Sequence, residues 1–420
     1  MLFQFLAQES PPEFGVLLRE LPFCSANHGL PPNAENTDCL RHHHILCLCR
    51  ASESLRPHFE RLLRDAGNWD GEPPLCIVAD VFFARTVEVS RELTIFHTIF
   101  FTCGALGRRL LLPLFHVPGF PDGFRLLRSQ MSGNMRPADG KDACSFFQWQ
   151  ISLSLRTYAC LCNAAEDLET TGMRLLREIT GLRVWPVGPL VAMERTREPR
   201  IGAETCAEWL GLRPLHLLRL AERVVSVADD GAGGGADGER RALHLCDPVA
   251  IGFDLSEGSD MEWLRNKGLL VRGWALQLEI LSHPSTAPVH NTPAPSLATP
   301  GGTHHWRASA RVPVIGQPLA TEQFDNSKMM EEEMGCAWNW RGVWRRRLQR
   351  RRWRGCLAGD WGQKGVEMRG RTAELSRTTK AAVAEKGAVR CSSLRAFDEF
   401  IYAAQTAPPA DQLARQSSFD

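Results

Sequence analysis

Residues 268–286 read GLLVRGWALQLEILSHPST, and residues 312–335 read VPVIGQPLATEQFDNSKMMEEEMG. The first stretch opens on a short apolar run and passes at once into Trp274, Ala275 and Gln277. The second leads from an apolar start into an acid–amide pair, Glu322–Gln323. Taken singly, a Trp that follows a strand is more often a core residue than a ligand contact. Two such fragments in order along one chain carry more weight than either alone.

Together they resemble the two ends of the nucleotide-sugar signature of plant family-1 UDP-glycosyltransferases. In that family the signature begins W-A-P-Q, runs through H-C-G-W-N-S and ends G-V-P-x-x-x-W-P-x-x-x-E-Q. Trp274, Ala275 and Gln277 match the opening, with Leu276 in place of the proline, and Glu322 and Gln323 match the close. Residues 287–311 do not resemble the middle of it. The resemblance implies that Trp274 stacks on uracil, since a flat indole offers a face and excludes water. It implies that Gln277 meets ribose hydroxyls, because an amide both donates and accepts. Glu322 and Gln323 would hold the hydroxyls of the sugar.

Composition narrows the rest. A chain of 420 residues, 44% of them hydrophobic, can bury a core, and its length suggests two or three domains. Lys and Arg number 49 against 48 Asp and Glu, so global charge argues for neither a nucleic-acid nor a membrane partner. Residues 1–8 are apolar but too short, and lack the basic start, for a signal peptide. The most apolar stretch, 94–115, is broken by His97, Arg108 and Arg109, so no membrane span is expected. The 14 cysteines follow no framework spacing, which suits a reducing cytosol.

Along the chain, residues 21–32 resemble an acceptor-side loop of the family. The family has a whole βαβ unit before this point, with the catalytic His in a G-H-x-x-P loop. No such loop stands here, and His28 sits in the context of a later loop. Residues 41–49, RHHHILCLC, hold zinc-ligand types. Adjacent His side chains point apart on a helix or a strand, so the spacing is poor for a metal. Residues 51–63 read as a helix, with Leu55, Phe59, Leu62 and Leu63 on one side.

Residues 73–80, PPLCIVAD, read as a buried parallel strand ending in a carboxylate at a cleft. Residues 84–93 are helical in pattern and 95–101 form a second apolar run, which completes a βαβ unit. The resemblance implies that Asp80 orients a catalytic His and takes up its developing charge, as in hydrolase triads. From the residues alone Asp80 reads as a helix N-cap. Residues 184–190 resemble the close of the family's first domain, 191–204 read as a linker, and 394–404 look like the family's closing helix.

Three stretches depart from the family. Residues 213–247 contain GAGGGADG, yet no apolar strand precedes that patch and no periodic helix follows it, so a phosphate-cradling loop is poorly supported. Residues 336–359 hold eight Arg and four Trp with no acid. That pattern points to nucleic acid, to a solvated basic tail, or to a slipped reading frame. Reverse translation favours the slip. Dropping one nucleotide from codons for residues 213–222 permits V-L-Y-I-S-F-G-S. Shifted readings of 230–247, 293–306 and 337–354 likewise resemble what the family has at each point.

The sequence therefore predicts an α/β protein of GT-B architecture, two Rossmann-like domains facing a cleft, with the first βαβ unit missing and three irregular inserts. The expected division is an acceptor-side domain over 1–190, a linker over 191–204, a UDP-sugar domain over 205–393, and a closing helix and tail over 394–420. Irregular structure is expected over 213–250, 287–311 and 336–360. The implied reaction moves a sugar, expected to be glucose, from a UDP-sugar to a hydroxyl of a small plant metabolite, with inversion and no metal or other cofactor. Asp80, Trp274, Ala275, Gln277, Glu322 and Gln323 are its candidate residues. A cytoplasmic monomer with little or no activity is expected. The alternative is a catalytically dead remnant or a mis-assembled gene product.

Overall fold

The structure is a computed structural model. It describes residues 19–35, 42–70, 74–102, 141–190, 215–221, 241–246, 268–272, 289–291, 314–316, 323–339, 362–383 and 391–407, with residues 40 and 208. These form two parallel sheets and the helices that cover them.

The first sheet contains β1 (Cys76–Asp80), β2 (Phe96–Phe101), β3 (Ala159–Cys162) and β4 (Arg183–Pro186), paired in that order. Helix α1 (His42–Ala51), a 3-10 turn (Ser52–Leu55) and α2 (Arg56–Asp70) precede it. The helix expected over 51–63 is thus divided, with α2 beginning at Arg56. Pro57 sits in its first turn, where no intrahelical N–H partner is lost. Phe59 and Leu63 then reach Ile77, Ala79 and Ile95, which face one side of the sheet. Helix α3 (Thr86–Glu92) joins β1 to β2, which pair in register from Cys76 with Phe96 to Asp80 with Phe100. This is the βαβ unit that the alternating pattern predicts.

Helix α4 (Lys141–Ser154) precedes β3, and α5 (Thr170–Thr180) joins β3 to β4. Gly181 ends α5 in the left-handed region at φ 64°, and its N–H closes on the Arg177 carbonyl. A side chain there would crowd the following carbonyl. The core under these strands is built from Ile99, Phe101, Ile151, Cys160, Met173 and Leu176 with their neighbours.

The second sheet contains β5 (Leu215–Ala221), β6 (Arg241–Cys246), β7 (Gly268–Arg272), β8 (Val289–Asn291), β9 (Val314–Gly316) and β10 (Ala337–Asn339). Its order is β10-β9-β8-β5-β6-β7, with every neighbouring pair parallel. Numbered within the sheet this is 3-2-1-4-5-6, the doubly wound order. The expectation of irregular structure fails at 215–221, 241–246, 289–291 and 337–339, all of which are strands. The reason is that short apolar or alternating runs such as LHLLRLA and RALHLC suffice once parallel neighbours supply the hydrogen bonds. Residues 222–240, 293–306 and 340–354 lie outside the described residues, as does the linker reading of 191–204.

Helix α6 (Gln323–Glu332) buries Met329 and Met330, which pack with Met334, Cys336 and Ala337. Helix α7 (Gly362–Val383) touches that cluster through Leu375. The same Leu375, with Ala382, packs on Ala165 and Leu168 beyond β3. Helix α8 (Ser392–Thr406) then lies on the first sheet. Its Ala396 and Phe400 pack against Ala159, Leu161, Trp185 and Val187, and Phe400 meets the Trp185 ring edge-on at 5.7 Å. The closing helix read over 394–404 is this element.

Candidate functional site

Open α/β sheets bind ligands outside the carboxyl ends of their strands, where the strand order reverses. In the second sheet that reversal lies between β5 and β8, ending at Ala221 and Asn291. Two of the sequence-derived groups follow strands of this sheet in the chain. Trp274, Ala275 and Gln277 follow the last residue of β7, Arg272, within a few residues. They lie outside the described residues, as does Glu322. Gln323 is the first residue of α6, and α6 follows β9.

Beyond Gln323 the helix carries a feature that sequence reading missed. Asn326 and Ser327 are buried, with 8% and 3% of their surface exposed. Among the described residues, Asn326 Oδ1 and Ser327 Oγ find no hydrogen-bond partner. A buried polar atom left unpaired costs about 1–3 kcal/mol. Spacings of three and four residues put both on the helix face that Gln323 begins. The available signal was polar residues at i+3 and i+4 from Gln323, just ahead of the apolar Met329–Met330 pair.

On the first sheet, Asp80 ends β1 with extended backbone, and its Oδ1 accepts the Phe82 N–H at 2.9 Å. The carboxylate therefore caps the 3-10 turn Val81–Phe83, as the reading from the residues alone expected. Its charge is also felt at Cys49 on α1. Burial first, and Asp80 second, push that thiol up to about 11. Cys49 is thus a neutral thiol at ordinary pH, not a nucleophile.

A polar frame stands behind Asp80. The Gln150 side chain accepts the Ala84 N–H at 3.2 Å and donates to Glu53 at 2.7 Å. Arg85 donates to the other Glu53 oxygen at 2.5 Å and to Glu88 at 3.0 Å, and lies over the Trp149 ring at 4.7 Å. The hydrogen bond to Glu53 raises the Arg85 pKa further, so the guanidinium stays charged. These contacts tie the turn after β1 to α4 and to the 3-10 turn before α2.

At the end of β3 a second set of contacts forms. Asn163 is fully buried, and its Oδ1 accepts the Leu190 N–H at 2.7 Å. A Cβ on Gly188 would lie 2.7 Å from the Ala164 nitrogen and closer still to Asn163 Oδ1, so only glycine fits there. Ser393 of α8 donates to the Gly188 carbonyl. None of these three residues is marked by local pattern, because their partners are distant in sequence.

His97 on β2 is buried between two hydroxyls, Thr86 at 2.9 Å and Thr157 at 2.7 Å. Burial, then Arg91, push its pKa down to about 3. It is a neutral structural group and does not replace a catalytic base. Around α1, among the described residues, no group of three or more His, Cys, Asp or Glu is placed to hold a metal.

Comparison with known proteins places this frame. No family model matches the chain. Crocetin glucosyltransferase 3 of Crocus sativus is 36% identical over 378 residues, covering 79% of this chain and 76% of that protein. UDP-glycosyltransferase 92A1 of Arabidopsis thaliana is 29% identical over 371 residues, covering 77% and 72%. Among solved structures, a UDP-glucosyltransferase from Polygonum tinctorium capable of glucosylating indoxyl aligns with a TM-score of 0.70 at 22% identity. That alignment covers 92% of this chain and 86% of that one. UGT73P12 of Glycyrrhiza uralensis gives the same TM-score at 20% identity, over 96% and 85%. The architecture is GT-B, and the length and identity of the sequence matches settle the kinship: the chain belongs to the plant UDP-glycosyltransferases.

Proposed function

We propose that this polypeptide binds a UDP-sugar, glucose being the sugar, and that the family reaction is transfer to a hydroxyl of a small plant metabolite. The observation that carries the reading is the doubly wound second sheet, with Gln323 heading the helix after β9. The relatives' names support the sugar, since those quoted include glucosyltransferases. In this reading residues 205–393 bind the donor and residues 1–190 the acceptor. Trp274 stacks on uracil, Gln277 meets the ribose, and Glu322 and Gln323 hold the sugar hydroxyls. No metal or other cofactor takes part.

The chemistry of the family asks for a base that removes the acceptor proton while its oxygen attacks sugar C1 and UDP leaves from the opposite face. Asp80 is the partner of such a base. No S-F-G-S motif for the diphosphate is present in the 420 residues, and loss of one such ordered donor costs about 10²–10³-fold. In this reading the chain binds the donor and has little or no transferase activity. It acts as a monomer in the cytoplasm. Among the described residues no helix is long and apolar enough to cross a membrane.

Titration of the full chain with UDP, followed by tryptophan fluorescence, tests the binding. Saturable quenching is expected. A flat titration returns the chain to the reading of a remnant without a donor site. Measurable glucose transfer from UDP-glucose to a flavonol would contradict the low activity.

A further inference from the structure

His97 is buried with none of its surface exposed, and burial, with the Arg91 charge second, keeps the ring neutral. A neutral imidazole has one N–H and one lone pair, so one ring nitrogen donates and the other accepts. Where the neighbouring protons must go decides which. Thr86 Oγ1 lies 2.9 Å from Nε2 and donates its own proton to the Phe83 carbonyl at 2.6 Å. Thr157 Oγ1 lies 2.7 Å from Nδ1, with the His97 carbonyl at 2.9 Å and the Ala159 carbonyl at 3.3 Å as other acceptors. Those two carbonyls have further donors, the Tyr158 N–H at 3.3 Å and the Thr98 hydroxyl at 3.0 Å. Thr157 is therefore free to give its proton to the ring, whereas Thr86 is the donor placed on Phe83 among the described residues.

We infer that His97 is the Nε2–H tautomer and a positioning residue for the turn that Asp80 caps. It is the middle of a one-way chain of hydrogen bonds: Thr157 hydroxyl to Nδ1, Nε2–H to Thr86 Oγ1, and Thr86 hydroxyl to the Phe83 carbonyl. The opposite tautomer would send Nδ1–H to Thr157 and draw the Thr86 proton away from Phe83 to Nε2. Buried polar groups settle in the arrangement that leaves fewest without a partner. The turn Val81–Phe83 is thus gripped at three points. Asp80 takes the Phe82 N–H, Gln150 takes the Ala84 N–H, and the chain of bonds takes the Phe83 carbonyl. The third grip runs through β2 to Thr157, two residues before β3, and ties the carboxyl end of β1 to both. Its bearing on the reaction rests on the reading of Asp80 given above; the tautomer and the hold on the turn do not.

Nitrogen NMR of the full-length chain with isotope-labelled histidine, at neutral pH, tests this. The His97 signals are assigned by their loss in His97→Gln, and the Nε2–H form is expected. Thr86→Val removes the acceptor of that proton, so the ring should change to Nδ1–H and donate to Thr157. Thr86→Ser keeps the hydroxyl and should keep Nε2–H, as should Thr157→Val, which leaves Thr86 in place. Amide hydrogen exchange at Phe82 and Ala84 should quicken roughly two- to tenfold in Thr86→Val and return toward the original rate in Thr86→Ser. The Nδ1–H form in the unaltered chain overturns the inference, as does a Thr86→Val chain that keeps Nε2–H. Unchanged exchange at the turn in Thr86→Val overturns the positioning role. If Thr86→Val does not fold, the unaltered chain, Thr86→Ser and Thr157→Val decide, and a change to Nδ1–H in either variant sinks the idea. No ligand enters these measurements, so a flat UDP titration leaves this inference standing and its failure leaves the donor-binding reading untouched.

Discussion

The first sheet runs β1-β2-β3-β4 without a reversal, whereas the second turns back at β5, between β6 and β8. At a reversal, successive connections leave toward opposite faces of the sheet and open a crevice between them. Among the described residues, the first sheet's carboxyl edge carries contacts of its own: Asp80 capping the turn at 81–83, Gln150 joined to Glu53, and Asn163 holding Leu190. The second sheet thus has a reversal of strand order at its carboxyl edge, and the described strands of the first sheet have none. The two are connected by packing as well as by chain. Leu375 of α7 touches both the methionine cluster near β10 and the loop after β3, and α8 returns to the first sheet.

The largest test of that connection is Phe400→Ala. Phe400 is 3% exposed and packs among Phe96, Trp185 and Phe397. Truncation of a buried Phe costs about 3–5 kcal/mol, expected as a lowered midpoint in urea unfolding. If the sheets are coupled through α7 and α8, one transition shifts as a whole. Two separated transitions, with only the first moved, would break the coupling and leave two independent units.

Gly188→Ala comes next. The added Cβ meets backbone atoms at Ala164, which cannot swing aside as a long side chain can. Overpacking costs about 1–3 kcal/mol, read in the same urea experiment. The loss should be accompanied by faster hydrogen exchange at Leu190, whose N–H depends on Asn163.

The third test uses pH. The folded His97 pKa lies near 3, below the ordinary 6.5, so the unfolded chain takes up a proton first. Its contribution to stability is complete above pH 6.5 and falls as acid carries the pH from 6.5 toward 3. The slope is at most about 1.4 kcal/mol per pH unit. Urea midpoints at successive pH values should show this decline in the unaltered chain, and His97→Gln should flatten it. An unchanged slope in His97→Gln would place the acid sensitivity elsewhere.

The smallest effect is expected at Arg174–Glu178, an exposed i,i+4 pair on α5 at 2.8 Å. Glu178→Ala should move stability by no more than about 0.5 kcal/mol. A larger loss would mean that the first sheet draws more on surface charge than on the buried frame around Gln150.

Local pattern made much of the first sheet legible. The run ending at Asp80, the helical stretch after it and the next apolar run became β1, α3 and β2, because burial on both faces selects continuous apolar strands. The closing helix over 394–404 was legible through the family resemblance, and Ala396, Phe400 and Ala404 are buried on it. The second sheet was harder to read. Segments 215–221, 241–246 and 337–339 sit in stretches whose composition argued for irregular structure, yet each is a strand. A parallel strand takes its hydrogen bonds from neighbours far along the chain, so its own residues announce it weakly.

By itself the sequence determined the α/β class, the family likeness at Trp274, Ala275, Gln277, Glu322 and Gln323, and the carboxylate that ends β1. Those are properties of residue type, order and short-range period, which survive without knowledge of the fold. Only the tertiary structure decided that Asp80 caps the turn after β1 and that Ser393 of α8 reaches the Gly188 carbonyl. It alone showed that Asn326 and Ser327 are buried, with Asn326 Oδ1 and Ser327 Oγ unpaired among the described residues. Hydrogen-bond satisfaction and burial are relations between distant groups, and no single stretch of chain contains them.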